Sequence, residues 1–332
     1  MQKFSHLYYQ STRTCVILLT ALLLAPKDTR AQSIPAIEEN IPFLVTFSSN
    51  GDVSWGDDDF SQVFFFVIPK DKKGPVYIRV FDPDIGGQHD EDRTGFNSSS
   101  RFSVYGGIGC ISAKEATNTE PIEGYKTGNL LDAKVFGEDP EHDDSWYTFG
   151  PYNPMEGELM AEYGGYILKI VAEGLQGDDG NLYRYFLSSS PDKNTAVEGG
   201  NAFTFEYSFR LSNDQNQISH LYPYVNDKVV SLKLCNFDWD DDGYIKVVSV
   251  ARRGDFAKTS KENEWVNSTH IVSESEKSTS LDVQFIKNKS VLVRNNNVVL
   301  YITNQYGEFL PFYTTPIGGI PKFKYSIGVQ KK

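Results

Sequence analysis

Residues 62–87 read QVFFFVIPKDKKGPVYIRVFDPDIGG. An aromatic-rich apolar run leads into a Pro/Lys/Gly turn, an alternating run from Val76 to Phe81, and an acidic turn at Asp82-Pro83-Asp84. Period-two alternation puts successive side chains on opposite faces of a strand, so the stretch predicts two strands joined by a polar turn. Sliding the chain by 156 positions lays it over residues 218–243, ISHLYPYVNDKVVSLKLCNFDWDDDG. Asp71-Lys72 then meets Asp227-Lys228, Phe81-Asp82-x-Asp84 meets Phe237-Asp238-x-Asp240, and Gly87 meets Gly243. Residue matches and element order agree together, which predicts an internal duplication.

The rest of the chain fits that pattern. Aromatic residues make up 14% of it, mostly Phe and Tyr, and the apolar positions alternate far more often than they follow a helical period. Strands are expected over 43–48, 101–105, 166–172 and 182–187, and again over 203–211, 229–237, 244–251, 281–286, 298–303 and 323–328. Gly, Pro, Asn and Asp clusters separate them, and residues 154–163 hold the one candidate for a short helix. The expected fold is all-β, with two tandem, related antiparallel β-sandwich domains of jelly-roll or C2-like type. They cover residues 43–190 and 201–332, after an extension at 32–42, and a Ser/Pro/Asp/Gly-rich linker spans 191–200.

The N-terminus carries an export pattern. Lys3 and Arg13 precede the apolar run from Cys15 to Ala25, and Thr29-Arg30-Ala31 supplies small residues for cleavage, so residues 1–31 read as a signal peptide. That apolar run is too short to span a bilayer, and no later stretch is long and apolar enough. Localisation is therefore expected to be periplasmic, cell-surface or extracellular. The whole chain carries −12; residues 1–31 hold four basic residues and one acid, which leaves −15 on the rest. Such a charge repels phosphate backbones and argues against nucleic acid and anionic membranes as partners. Cys110 and Cys235 fall in different expected domains, and Cys235 sits in an apolar strand pattern, so free thiols are expected.

Candidate sites lie in the turns. Asp238-x-Asp240-x-Asp242-Gly243 matches the first half of a calcium loop, in which oxygens at alternate positions wrap a hard cation and glycine permits the tight turn. The acidic twelfth position is missing, since Ser249 stands there. The matching turn offers Asp82 and Asp84, with Asp57-Asp58-Asp59 near in sequence. Converging carboxylates repel unless a cation or a proton intervenes, so Asp82, Asp84, Asp238, Asp240 and Asp242 are the metal candidates and calcium the expected ion. Gln88-His89-Asp90-Glu91 and Glu141-His142-Asp143-Asp144 add two His/carboxylate loops without a known metalloenzyme spacing. Trp239, between two aspartates, and Trp55 are the expected exposed binding aromatics.

The segments Phe64-Phe65-Phe66-Val67-Ile68-Pro69 and Val76-Tyr77-Ile78-Arg79-Val80-Phe81-Asp82 resemble the core of pre-peptidase C-terminal-type β-sandwich domains of secreted bacterial proteins. The resemblance covers about thirty residues per half. It implies a calcium-stabilised accessory or binding sandwich and carries over no catalytic residue. No nucleophile elbow, phosphate loop or Cys/His arrangement accompanies it. The expected function is an exported, non-catalytic binding protein for a partner protein or a glycan. The alternatives are a metal-dependent hydrolase built around Asp82, Asp84, His89 and Asp90, and a structural component of a cell-envelope assembly.

Overall fold

The computed structural model describes residues 33–117, 123–290 and 292–324. The expected signal peptide therefore lies outside the described residues, as does most of the expected strand at 323–328. Among the described residues no helix is long and apolar enough to cross a membrane. The fold is all-β, and its helices are single 3-10 turns of three or four residues.

Ten strands come before residue 190: β1 (Ser33–Ile34), β2 (Phe43–Phe47), β3 (Ser61–Pro69), β4 (Val76–Phe81), β5 (Ser99–Gly106), β6 (Asn129–Phe136), β7 (Trp146–Tyr152), β8 (Glu158–Met160), β9 (Gly165–Gln176) and β10 (Gly180–Ser188). Twelve follow: β11 (Asn201–Thr204), β12 (Glu206–Arg210), β13 (Ile218–Leu221), β14 (Tyr224–Val225), β15 (Ser231–Phe237), β16 (Gly243–Val248), β17 (Asp255–Ala257), β18 (Trp265–Ile271), β19 (Thr279–Ser280), β20 (Asp282–Lys287), β21 (Asn297–Asn304) and β22 (Phe312–Tyr313).

The strands pair antiparallel throughout. One sheet runs β18-β15-β21-β12-β2-β10-β4-β7, with β1 on β10; a second runs β22-β11-β3-β9-β5-β6, with β8 on β9; a third runs β13-β20-β16-β17. Strand order recurs between the halves. The order β2-β10-β4-β7 matches β12-β21-β15-β18, and β3-β9-β5-β6 matches β13-β20-β16-β17, each partner holding the same place in its half's chain order. Phe81 closes β4 opposite Trp146 just as Phe237 closes β15 opposite Trp265, with ring centroids 5.4 Å and 5.2 Å apart. The next residues, Asp82 and Asp238, take the same left-handed conformation at φ 58° and 59°, which short polar side chains tolerate best.

The halves share backbone hydrogen bonds. In the expected strand 203–211 the chain changes sheets at Phe205: β11 pairs with β3, and β12 pairs with β2. Thr204 sits at the corner, where its hydroxyl donates to the Val63 carbonyl at 2.6 Å. The expected linker is also folded down, since Val197 is buried and Asn194 accepts from the Arg79 guanidinium at 2.5 Å. One apolar cluster runs through both halves, from Leu44, Phe64 and Ile78 to Phe209, Leu234 and Phe285. Burying such faces is the main favourable term in the fold.

Three sequence expectations change. The segment 154–163 forms a single 3-10 turn at Pro154–Glu156 and then the strand β8, not a helix. Trp239 is not exposed. Its backbone N–H donates to the Ser260 hydroxyl at 2.8 Å, which turns the indole inward to 0% exposure, edge-on to Phe285. Trp55 is half-buried rather than an open platform: it packs on Phe47, and the Arg93 guanidinium covers its ring at 4.1 Å. Cys110 and Cys235 are both buried and free.

Candidate functional site

The turn after β4 is held by hydrogen bonds to its own carboxylates. The Asp144 N–H donates to Asp82 Oδ1 at 2.8 Å, and the His142 N–H donates to Asp84 Oδ2 at 2.5 Å. Asp90 accepts from the Gly86 and Leu182 N–H groups at 2.9 and 2.6 Å. These bonds draw together the two His/carboxylate loops that stand more than fifty residues apart in the chain. His89 Nε2 lies 2.8 Å from Asp144 Oδ1, and Gln88 donates to Asp144 Oδ2 at 3.0 Å. Gly87, at φ 69°, leaves room for Asp143, whose carboxylate would stand 3.2 Å from any added Cβ.

One ligand atom each from Asp82, His89 and Asp144 lies within 4.8 Å of the others. Such a set of one imidazole nitrogen and two carboxylates suits a borderline divalent ion. The His89 ring is set by Phe43, with centroids 4.7 Å apart, and the Arg184 guanidinium covers the Phe43 ring at 4.2 Å. Beside it, His89 and Gln88 line a cleft of about 230 Å3 that the second half completes through Arg210, Asn213 and Asn295. Burial pushes Asp82 up to about 6 and raises Asp84 and Asp90.

The matching turn of the second half has the same frame with different chemistry. Asp238 Oδ1 accepts from the Asn263 N–H at 3.1 Å, as Asp82 does from Asp144, but asparagine replaces the acid and Ile245 stands where the 156-residue shift would place His89. Asp242 turns away to accept from Asn296 at 2.6 Å. As a result, Asp238, Asp240 and Asp242 do not bring their oxygens together as a ligand ring. Asp57, Asp58 and Asp59 do converge, and Asp57 already accepts from the Phe47 and Phe60 N–H groups at 2.6 and 3.0 Å. Asp84, expected as a ligand, serves the backbone. The convergence of His89 with Asp144 was not legible, because it depends on the long-range pairing of β4 with β7.

The buried acids set a pH dependence. Burial raises Glu39 to about 8. Burial, and then the neighbouring charges of Asp240 and Glu262, raise Asp238 to about 7. Each such group contributes stability that is full below its unfolded value and lost as pH rises through its folded value. Glu276 has the opposite sign. Burial alone would raise it, but hydrogen bonds from His270, Ser249 and Ser273 outweigh that and hold it near 2, so its contribution is lost only as pH falls below its unfolded value. The melting temperature is expected to peak near about pH 5 and to fall toward pH 8. A scan of thermal unfolding against pH checks this, and a maximum above pH 7 would contradict it.

No family model matches the chain, and no curated protein matches it.

Proposed function

We propose that the chain is an exported, non-catalytic binding protein built of two tandem, related jelly-roll β-sandwiches, with a divalent cation fixing the loop end of the first. The recurring strand order supports the duplicated jelly rolls, because two four-stranded sheets linked in this order are the jelly-roll pattern. The sequence resemblance to secreted accessory sandwiches points the same way. The convergence of Asp82, His89 and Asp144 beside the cleft is the observation that carries the cation. In this reading the metal replaces the His89–Asp144 ion pair as the clasp between two loops. Its imidazole ligand favours zinc over calcium, the ion expected from the oxygen-only turn.

A metal-dependent hydrolase is the second reading, favoured by the same triad because three protein ligands leave coordination positions for water and substrate. Binding is preferred because Asp84 and Asp90, the acids that this alternative adds to Asp82 and His89, both accept backbone N–H groups.

Thermal unfolding of the full chain with zinc, calcium or chelator tests the cation. Zinc at a hundredfold excess over its Kd is expected to stabilise the fold by about 2.7 kcal/mol. His89→Gln and Asp144→Asn are each expected to remove that gain. Equal stabilisation of the variants would refute the triad, and a larger gain with calcium, kept in His89→Gln, would assign the ion to carboxylates alone. Metal-dependent turnover of a hydrolytic substrate panel, lost in His89→Gln, would favour the enzyme.

A further inference from the structure

The two halves differ most on one face of one sheet. In the first half, the side of β3-β9-β5-β6 turned away from the main core is buried by the chain itself: Phe65 and Ile167 cluster with Ile111, with Phe205, and with Phe203 and Tyr313 of the strands that extend the sheet, while Val171 clusters with Cys110 and Tyr125. The connection between β5 and β6, 22 residues long at 107–128, supplies Ile111 to the first of these clusters and Cys110 and Tyr125 to the second. The matching connection between β16 and β17 has only 6 residues, 249–254. It cannot reach across, and among the described residues the same face of β13-β20-β16-β17 carries no such apolar cover.

Register and alternation define what that bare face presents. Val247, Val283 and Phe285 point into the core, so their neighbours point away. Phe256, Lys246, Gln284 and His220 stand opposite one another in a row across all four strands, a span of about 14 Å at ordinary strand spacing. Tyr244, one step along, meets Phe256 edge to face, with ring centroids 5.9 Å apart. Tyr244 is 54% exposed and Phe256 71%. The polar members are pre-ordered, since His220 Nδ1 lies 2.8 Å from Asp282 Oδ1 and Gln284 donates to Asp282 Oδ2 at 2.7 Å.

Charge selects the occupant. Residues 32–200 hold 29 acids and 12 bases, a net −17, whereas residues 201–332 hold 14 acids and 16 bases, a net +2. Among Tyr244, Phe256, Lys246, Gln284 and His220, Lys246 brings the one formal charge outside the His220–Asp282 contact. Its stem lies against Gly254, where an added Cβ would overlap it. Lys322 and Lys324 are exposed, and the Lys324 N–H is bonded to the Val250 carbonyl, in the connection that follows β16, at 3.0 Å. A pair of exposed rings gives an apolar platform of the kind that the C–H face of a pyranose covers. A row of planar hydrogen-bonding groups suits hydroxyls, and a central ammonium pairs with carboxylates.

We infer that the outer face of β13-β20-β16-β17 binds an anionic oligosaccharide, with Tyr244 and Phe256 stacking on the sugar rings and Lys246 pairing with a uronate carboxylate. The assignment rests on reading the chain as a binding protein and adds the ligand class and the surface.

Calorimetric titration of the full chain with a galacturonate hexamer, and with cellohexaose as the neutral comparator, tests it. The uronate is expected to bind at least tenfold more tightly than cellohexaose. Tyr244→Ala and Phe256→Ala are each expected to weaken it at least tenfold, with circular dichroism unchanged. Lys246→Gln is expected to bring the uronate down to the level of cellohexaose and to remove its salt dependence. Lys73→Gln, at an exposed lysine in the turn between β3 and β4 of the other half, is expected to bind as the wild type does. Absence of binding, equal affinity for the two sugars, or aromatic variants that bind normally would each overturn the assignment. Self-association lost in Phe256→Ala would also overturn it and place a second copy on the face. If zinc still stabilises the same preparation while no sugar binds, the ligand assignment alone fails. If sugar binds but zinc has no effect, the cation reading alone fails.

Discussion

Glu91→Ala is expected to destabilise the fold by about 3–5 kcal/mol. Glu91 lies at the seam of the halves, where its backbone pairs with Gly180 and its carboxylate meets Arg93 at 2.5 Å, Asn297 at 2.9 Å, and Arg210. Arg210 and Asn297 belong to the second half, and Arg210 Nε donates to Asn297 Oδ1 at 2.7 Å. Burial pulls the Arg210 guanidinium down to about 10, so losing its counter-charge leaves a buried cation with the neutral Asn297 oxygen as its hydrogen-bond acceptor. That uncompensated charge, rather than the worth of the pair, makes the effect large. Replacing both partners with apolar residues of similar volume, Glu91→Leu with Arg210→Met, is expected to recover most of the loss. Chemical denaturation of the single and double variants checks the pattern, and a single variant losing under about 1 kcal/mol would place the pair in solvent.

Trp239→Ala is expected to cost about 3–5 kcal/mol through the cavity it leaves beneath the acidic turn. The ring is among the largest fully buried side chains and packs edge-on to Phe285, with centroids 5.6 Å apart. Its indole nitrogen is buried without a hydrogen-bond partner. Removing that N–H while keeping an aromatic ring should therefore relieve part of the cost, and Trp239→Phe is expected to lose less than half as much. Urea unfolding of the two variants measures this. Near-neutral behaviour of Trp239→Ala would mean that the indole is exposed, as its place between two aspartates had suggested.

Burial and register explain which parts were readable from sequence. The runs at 76–81 and 62–68 became β4 and β3 nearly residue for residue, because β4 alternates about one core face while β3, buried on both faces, reads as a continuous apolar run. The strands β6, β7 and β18 were missed. Each ends its sheet, and NLLDAKVF and WVNSTHI mix polar and apolar residues without a clean period because one edge and much of the surface face water. The 156-residue shift pairs Phe81 with Phe237, and the two close β4 and β15 in matching places. The shift gave no sign that residues 201–210 split between two sheets, since that corner depends on partners more than a hundred residues away. The carboxylates of Asp238-x-Asp240-x-Asp242 were read by spacing alone. Their directions are set by Asn263 and Asn296, and no local pattern reveals such contacts.

A zinc-edge anomalous difference map from crystals of the full chain soaked in zinc chloride tests the cation-clasped loop end most directly. The expected result is a peak at ligand distance, about 2.0–2.2 Å, from one atom each of Asp82, His89 and Asp144. A map without a peak there, or with zinc held only by other residues, would contradict it.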